Sequence, residues 1–412
     1  MKVLYVTASC LDKNTSANMS HNAYIQGLIE NGAEVDIIMA SNSWGEYDSK
    51  MSRFQEANYY IYNSRSFKDW IREFVKRMLK YSKESNPQND FSNDSSQFGS
   101  IEKMNIRLLL RRLYLLVFRQ DPIYPLHHKW LKRAQRFKND TQYDLVISNS
   151  SPEASHKLVL ILTDKNRIQF KRWVQIWEDP WYYDIYGVSS TLILDEEREI
   201  LKRAQEVFYV SPLTLHYQKL YFPESSQKMR VIPLPYFSFQ KEEQSDTNSE
   251  FSFGYFGDYY SYVRDIEPFY DALKSSGYKG YIYGDSDLKL ESDSLIKVSP
   301  RVTLSELEKI QKRCAVLVHL CNLRGGQIPG KIYHYSATNK PIIFILDGTD
   351  EEQNIIKDYF TGFSRYVFCH NEKESIISAM KLIEDNYKSH SYSPVELFSP
   401  RIVCRQLFNG CQ

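Results

Sequence analysis

The stretch Ala315–Leu346, AVLVHLCNLRGGQIPGKIYHYSATNKPIIFIL, decides how the rest of the chain is read. Its two apolar runs, Ala315–Leu320 and Pro341–Leu346, are each too short to stand as a lone helix and read as strands. Between them lies a turn-rich loop, Arg324-Gly325-Gly326-Gln327-Ile328-Pro329-Gly330-Lys331, that leads into a short helix. Pro329 suits the first helical position, where a missing N–H costs nothing. The amides of Gly330, Lys331 and Ile332 would then point outward from a helix N-terminus, which carries partial positive charge and accepts phosphate, with Lys331 adding a full charge. Asn339 suits a left-handed C-cap, and Pro341 stops the helix. In an open α/β sheet a loop at a strand's carboxyl end is where ligands sit. The same spacing also fits an ordinary strand-to-helix connection whose glycines serve tight packing.

With 412 residues, the chain has room for about two domains, each with its own core. The 42% hydrophobic and 25% charged fractions are ordinary for a globular protein. The net charge of +1 offers no global field for nucleic acid or membrane, although 31 tyrosines and 22 phenylalanines stand out. Cys10, Cys314, Cys321, Cys369, Cys404 and Cys411 show no CxxC pair or metal-type spacing and read as buried free thiols in a reducing compartment. The chain enters a strand at Lys2 with no signal-peptide pattern, and it has no run of about 20 apolar residues, so the expected location is cytoplasmic.

Lys2–Ala8 reads as a strand, Ser9–Ser20 as a polar loop, His21–Asn31 as a helix capped by Gly32, and Val35–Ala40 as a strand. That alternation is a βαβ unit and the start of a parallel sheet. The first loop, SCLDKNTSANMS, is not a GxGxxG, so dinucleotide binding has no support there. Ser66–Lys83 and Ile101–Arg119 read as helices around a polar, low-complexity stretch at Ser85–Ser100. From Arg65 to Lys138 there are 17 Lys/Arg against 7 Asp/Glu, an excess hidden by the near-neutral total. Arg107, Arg111, Arg112 and Arg119 share one side of the second helix. Such a helix suits an anionic membrane surface, or packs on its own domain with the arginines in solvent. No recognised nucleic-acid-binding motif accompanies the basic stretch, so nucleic acid is not an expected partner.

Tyr143–Ser148 and Trp173–Trp177 are further strands, the second followed by Glu178-Asp179-Pro180-Trp181. Acid groups at a strand's carboxyl end face the crevice of such sheets, while Asp179 with Pro180 also reads as a helix N-cap. Leu194–Arg203 is a helix, Glu206–Val210 a strand, Ser211-Pro212 a helix start and Met229–Leu234 a strand. Phe239–Glu250 has no apolar period and reads as a linker. A second alternating half begins with strand Phe251–Phe256. It continues through helix Ile266–Ser275, strand Tyr281–Tyr283, a helix Leu304–Lys312 capped by Thr303 or Ser305, and helices Ile376–Tyr387 and Arg401–Phe408. Asp285-Ser286-Asp287 has the form of a metal-binding acid pair but sits in a turn, where Asp is common anyway, and no metal site is expected.

PGKIYHYSATNKPIIFI resembles the donor-site segment of bacterial glycosyltransferases of the GT-B fold, retaining family 4-like. The shared positions are Pro329, Lys331, Ile332, Tyr333, Tyr335, Ala337, Lys340 and Pro341. Asn339 stands where that pattern has glycine, and His334 where it has a glutamate that accepts from the donor's ribose hydroxyls. Gly257 and Arg264 resemble the glycine and basic residue of the family's diphosphate loop, with Asp258 where an arginine sometimes follows the glycine. Ser148, Pro152, Asp179, Pro180 and Trp181 match one subgroup, with Glu178 in place of a residue that is often basic.

The resemblance implies an α/β chain of two Rossmann-like domains facing across a cleft. It would divide as 1–236 (acceptor side, basic helical insertion 65–140), a linker 237–250, a donor domain 251–390, and a C-terminal helix 391–412 packing back across the hinge. It implies a retaining, metal-independent hexosyltransferase-type enzyme, moving sugar from a nucleotide-diphosphate sugar to a glycan or lipid-linked acceptor in surface polysaccharide (capsule) biosynthesis. The enzyme would be peripheral at the inner face of the cell membrane. Catalysis would fall to Lys331, Arg264, Asp179 and Glu178. Donor contacts would fall to Gly257, Gln327, Pro329, Gly330, His334 and Tyr335, with Ser9, Asn14 (or Asn18) and Ser151 on the acceptor-side loops. No cofactor beyond the sugar nucleotide is expected, and since in the resembling family the leaving phosphate itself takes the acceptor's proton, no obligatory carboxylate base is expected either. The rival readings are a GT-B-fold sugar-nucleotide 2-epimerase and a nucleotide-sugar-binding assembly partner with little turnover.

Overall fold

A computed structural model describes residues 1–42, 46–48, 51, 53–64, 121–185, 189–236 and 251–409. The two helices expected within 65–120 and the linker at 237–250 lie outside the described residues.

The first lobe is built on seven parallel strands: β1 (Lys2–Val6), β3 (Glu34–Ala40), β5 (Ala57–Tyr62), β6 (Gln142–Asn149), β7 (Gln169–Trp177), β8 (Glu206–Tyr209) and β9 (Met229–Val231). A two-residue antiparallel ribbon, β2 (Lys13–Asn14) with β4 (Glu46–Tyr47), lies outside this sheet. The second lobe has six parallel strands: β10 (Ser252–Phe256), β11 (Lys279–Tyr283), β12 (Ile296–Ser299), β13 (Val316–Leu320), β14 (Ile342–Leu346) and β15 (Tyr366–His370). The strand orders are β5-β3-β1-β6-β7-β8-β9 and β12-β11-β10-β13-β14-β15. Each sheet therefore follows the doubly wound order and changes direction between its first and fourth members, β1/β6 and β10/β13.

Helices cover both faces of such sheets, so the central strands read as unbroken apolar runs. VLVHL in β13 and IIFIL in β14 are buried throughout, with Leu317 registered to Ile342. One apolar cluster passes from lobe to lobe, joining Leu213, Ile232 and Leu234 to Ile328, Ile332 and Tyr333. The helix Pro400–Asn409 crosses back to lie on helix Ser16–Glu30, where a Cβ on Gly27 would fall 2.1 Å from the Pro400 carbonyl oxygen. Asn31 Nδ2 donates to the Arg401 carbonyl at 2.8 Å, which ties the same two helices.

Several local expectations are corrected. The first helix begins at Ser16 rather than His21, because Thr15 caps it by accepting from the Asn18 amide at 3.1 Å. The strand expected over Met229–Leu234 stops at Val231. No helix starts at Asp179, where the chain bends and turns through 178–185. The short helix after the glycine loop spans Lys331–Tyr335, two residues past Pro329, and it ends at Ser336 in right-handed conformation. Asn339 is not left-handed: Ala337 and Thr338 donate to the His334 and Tyr335 carbonyls, which settles the helix end without a left-handed residue. The strands β12 and β15 and the helix Asp350–Thr361 were not anticipated.

Candidate active site

Strand β10 ends at Phe256 and β13 at Leu320, on the two sides of the second lobe's direction change. A cavity of about 570 Å³ opens there. Its walls include Phe256, Gly257, Asp258, Arg264, Arg301, His319, Pro329, Gly330, Lys331, His334 and Tyr335 from the second lobe. Asn14, Thr15, Ser16 and Met19 of the first lobe close it from across the gap. Of the residues singled out in the sequence, Gly257, Arg264, Pro329, Gly330, Lys331, His334, Tyr335 and Asn14 thus meet at one cavity.

Lys331 is partly buried and its Nζ donates to the Phe256 carbonyl. Burial draws its pKa down to about 8; Asp258 opposes this, while Arg301 and Arg264 reinforce it. Arg264 is fixed from two sides, Nε donating to Asn322 Oδ1 at 2.8 Å and Nη1 to the Asp258 carbonyl at 2.6 Å. The Tyr335 hydroxyl donates to the Phe256 carbonyl at 3.4 Å. His334 is held neutral, its pKa drawn to about 4 by burial and then by Lys331.

Arg301 escaped the sequence reading because β12, which delivers it, was not recognised. Its Nε donates to Asp258 Oδ1 at 2.8 Å and its Nη2 to Oδ2, a bidentate pair. Asp258, which stands where an arginine sometimes occurs, thus positions an arginine from a neighbouring loop. Among the described wall residues Lys331, Arg264, Arg301, Lys312 and Lys340 outnumber the carboxylates Asp258 and Glu308, an arrangement suited to an anion of more than one charge. His319, on β13, is a second unanticipated wall residue, buried, with Nε2 lacking a hydrogen-bond partner. A histidine inside an apolar strand run carries no sequence signal separating it from core.

The outward amide cluster expected at the helix start is smaller than anticipated. The Ile332 amide donates to the Pro329 carbonyl at 3.4 Å, because the helix opens with a tight turn. Lys340, one of the motif residues, caps a different helix: Nζ donates to the carbonyls of Gln311, Lys312 and Cys314 at 2.6–2.8 Å.

Gln327, Glu178 and Asp179 do not line this cavity. Gln327 Nε2 instead donates across the lobes to Asp179 Oδ1 at 2.6 Å and to Asp184 Oδ1 at 3.2 Å. The Gln327 amide, expected to contact the donor, is thus engaged by these two carboxylates. Burial, with Asp184 adding, raises the Asp179 pKa to about 6; burial raises Glu178 well above the usual range. Glu153 and Glu197 are each pushed by burial to about 7, so several carboxyls with raised pKa values gather near the carboxyl end of β7.

Ser9 is buried, its Oγ donating to the carbonyl of half-buried Ser151 at 3.3 Å. His21, buried beside them, bonds Tyr5 Oη at 2.9 Å and is kept neutral by burial, its pKa near 4. Asn18 is no candidate for a sugar, since its amide is buried on the Cys10 and Lys13 carbonyls. The Asn14 amide is engaged by Asp48 at 3.0 Å, at the cavity's edge.

The chain matches no protein-family model and no curated protein sequence. Solved structures are similar over nearly its whole length. The catalytic domain of starch synthase IV from Arabidopsis thaliana, bound to ADP and acarbose, is 9% identical with a TM-score of 0.54, over 98% of this chain and 94% of that one. Anabaena HepE with UDP and glucose is 12% identical with a TM-score of 0.52, over 98% and 95%. The fold is GT-B. In a GT-B chain the two doubly wound lobes face each other, and the cavity described above lies at the facing carboxyl edge of the second. Among the described residues no helix is long and apolar enough to cross a membrane.

Proposed function

We propose that this protein is a retaining, family 4-like glycosyltransferase that takes a sugar from a nucleotide-diphosphate sugar and passes it to a glycan or lipid-linked acceptor. The observation that carries the reading is the convergence of Lys331, Arg264 and Arg301 on one inter-lobe cavity at the second lobe's direction change. As the sugar leaves, negative charge grows on the bridging phosphate oxygen, and cations held in place beforehand stabilise that change without reorganising. Lys331 and Arg264 contact the diphosphate in this reading, Gly257 and Gly330 let backbone approach it, and His334 faces the ribose with its single acceptor nitrogen. Asp179 and Glu178 hold the acceptor side of the gap. The nucleotides in the two GT-B structures named above, UDP and ADP, support a nucleoside diphosphate as the ligand class.

No metal is assigned a role, because side-chain cations occupy the position where charge develops. The basic segment 65–138 would hold the enzyme at the inner membrane face, next to a lipid-linked acceptor for surface polysaccharide. Liposome pelleting tests this, and equal recovery with neutral and anionic vesicles at low salt would remove it.

Thermal-shift screening against UDP, GDP, ADP and CMP tests the donor reading, with selective stabilisation by one diphosphate expected. Absence of a shift with all four would remove it. The sugar-nucleotide 2-epimerase would turn over donor without acceptor, and an assembly partner would bind a diphosphate with no turnover at all.

A further inference from the structure

Among the described residues Arg365 is the one buried arginine, 5% exposed. It immediately precedes β15, at the opposite end of the sheet from the cation-lined cavity, and is not one of that cavity's walls. Its Nη2 donates to the carbonyls of Thr338 at 2.7 Å and Lys340 at 2.5 Å, in the turn that leads into β14. Tyr392 covers one face of the guanidinium, its ring centroid 5.0 Å from Cζ. The Nε and Nη1 atoms, also buried, have no hydrogen-bond partner.

No carboxylate contributes to the electrostatics of this group. Burial draws its pKa down to about 10, and only Tyr366 and Tyr392 oppose that shift. At neutral pH Arg365 is therefore a full positive charge taken out of water. The Lys340 ammonium, held on the carbonyls of Gln311, Lys312 and Cys314, places a second cation on the same turn. Carbonyl dipoles and the Tyr392 ring offset part of the cost, but neither brings net negative charge. Buried donors left unmatched beside an uncompensated charge mark the place of a counter-ion.

The geometry also limits what that counter-ion is. Carboxylates and phosphates are gripped by a fork of two adjacent N–H bonds. Both forks of a guanidinium that remain beside Nε and Nη1 share Nη2, which is already given to Thr338 and Lys340. What is left is single donors on separate edges. A side chain so deeply buried offers no volume to a ligand of many atoms, whereas a monatomic anion needs about the space of a water molecule. A water would satisfy one N–H and leave the charge as it was. Tyr392 belongs to a surface segment in which Lys388, Ser389, His390, Ser391 and Ser393 are exposed, so the guanidinium lies one side chain beneath solvent.

We propose that Arg365 binds one monatomic anion, chloride in solution, through Nε or Nη1 beneath Tyr392, at a site separate from the diphosphate cavity. The proposal does not depend on the glycosyltransferase reading.

Diffraction from crystals of the full-length protein grown in bromide tests it directly. An anomalous peak is expected within hydrogen-bonding reach of Arg365 Nε or Nη1. In solution, thermal unfolding in chloride, bromide, phosphate and gluconate at one ionic strength gives a second measurement. Chloride and bromide are expected to raise the Tm of the native protein over gluconate, saturably and by about 1–3 °C. Arg365→Met should lose that difference, and Arg264→Ala, which alters only the larger cavity, should keep it. Four results would overturn the proposal: no bromide peak at Arg365, an undiminished chloride effect in Arg365→Met, its loss in Arg264→Ala, or a larger effect of phosphate than of chloride that Arg365→Met abolishes. Should Arg365→Met fail to fold, the bromide crystals of the native protein decide alone.

Discussion

Burial makes the Lys331 charge costly, and Arg301 and Arg264 add to that cost against the pull of Asp258, so its pKa is drawn down to about 8. An anion that needs the charged form is therefore bound best below that value. Affinity for the nucleoside diphosphate selected by screening is expected to fall between pH 7 and about 9.5, and Lys331→Arg, whose charge persists, should flatten the fall. Calorimetric titration across that range checks it. Lys331→Ala and Arg264→Ala should each weaken the diphosphate by about tenfold or more and lower turnover. Unchanged turnover in both would remove their assignment.

Glu197 makes a separate prediction about stability. It is fully buried, accepts the Tyr182 amide at 2.8 Å and has its pKa raised by burial to about 7. The folded state then holds a proton that the unfolded chain has already lost, so this contribution is intact near pH 4.5 and disappears as pH rises through about 7. Glu197→Gln should be the more stable form at pH 8, by on the order of 1–3 kcal/mol, with the difference shrinking at pH 5. Urea unfolding at the two pH values measures it.

At the scale of elements, the site depends on how closely two strand ends approach. A Cβ on Gly284, just past β11, would fall 1.8 Å from the Gly257 carbonyl oxygen, just past β10. Both glycines line the larger cavity. Gly284→Ala must push the two loops apart, with an expected cost of about 1–3 kcal/mol and weaker diphosphate binding. Urea unfolding and calorimetry on the same variant check both. This contact could not be read from the sequence, because Gly284 sits 27 positions from Gly257. By contrast β13, the glycine loop and β14 were legible, since buried parallel strands spell continuous apolar runs. The boundaries of the helix between them were not, because a five-residue helix takes its start from the turn at Pro329 and its end from the turns after Tyr335.

At the scale of the molecule, the lobes are joined by a few polar ties over an apolar seam. Gln327 reaches Asp179 and Asp184, Thr214 donates to the Gly326 carbonyl, and the Tyr333 hydroxyl donates to the Val210 carbonyl at 2.5 Å. The chain's last helix leaves the second half of the sequence and seals the first lobe against Gly27. Gly27→Ala would drive a methyl group into the Pro400 backbone, so a lower urea midpoint, by about 1–3 kcal/mol, and faster proteolysis near residue 400 are expected.

The alternation of short apolar runs and amphipathic helices determined a double α/β architecture by itself, because burial on both faces forces a strand to be apolar along its length. The motif around Lys331 likewise marked one wall of the cavity. Arg301 and His319 acquired their meaning only in the tertiary structure. Arg301 needs Asp258, 43 positions away, to aim it. A side chain's type is local, but its partners are set by which loops the folded sheets bring together.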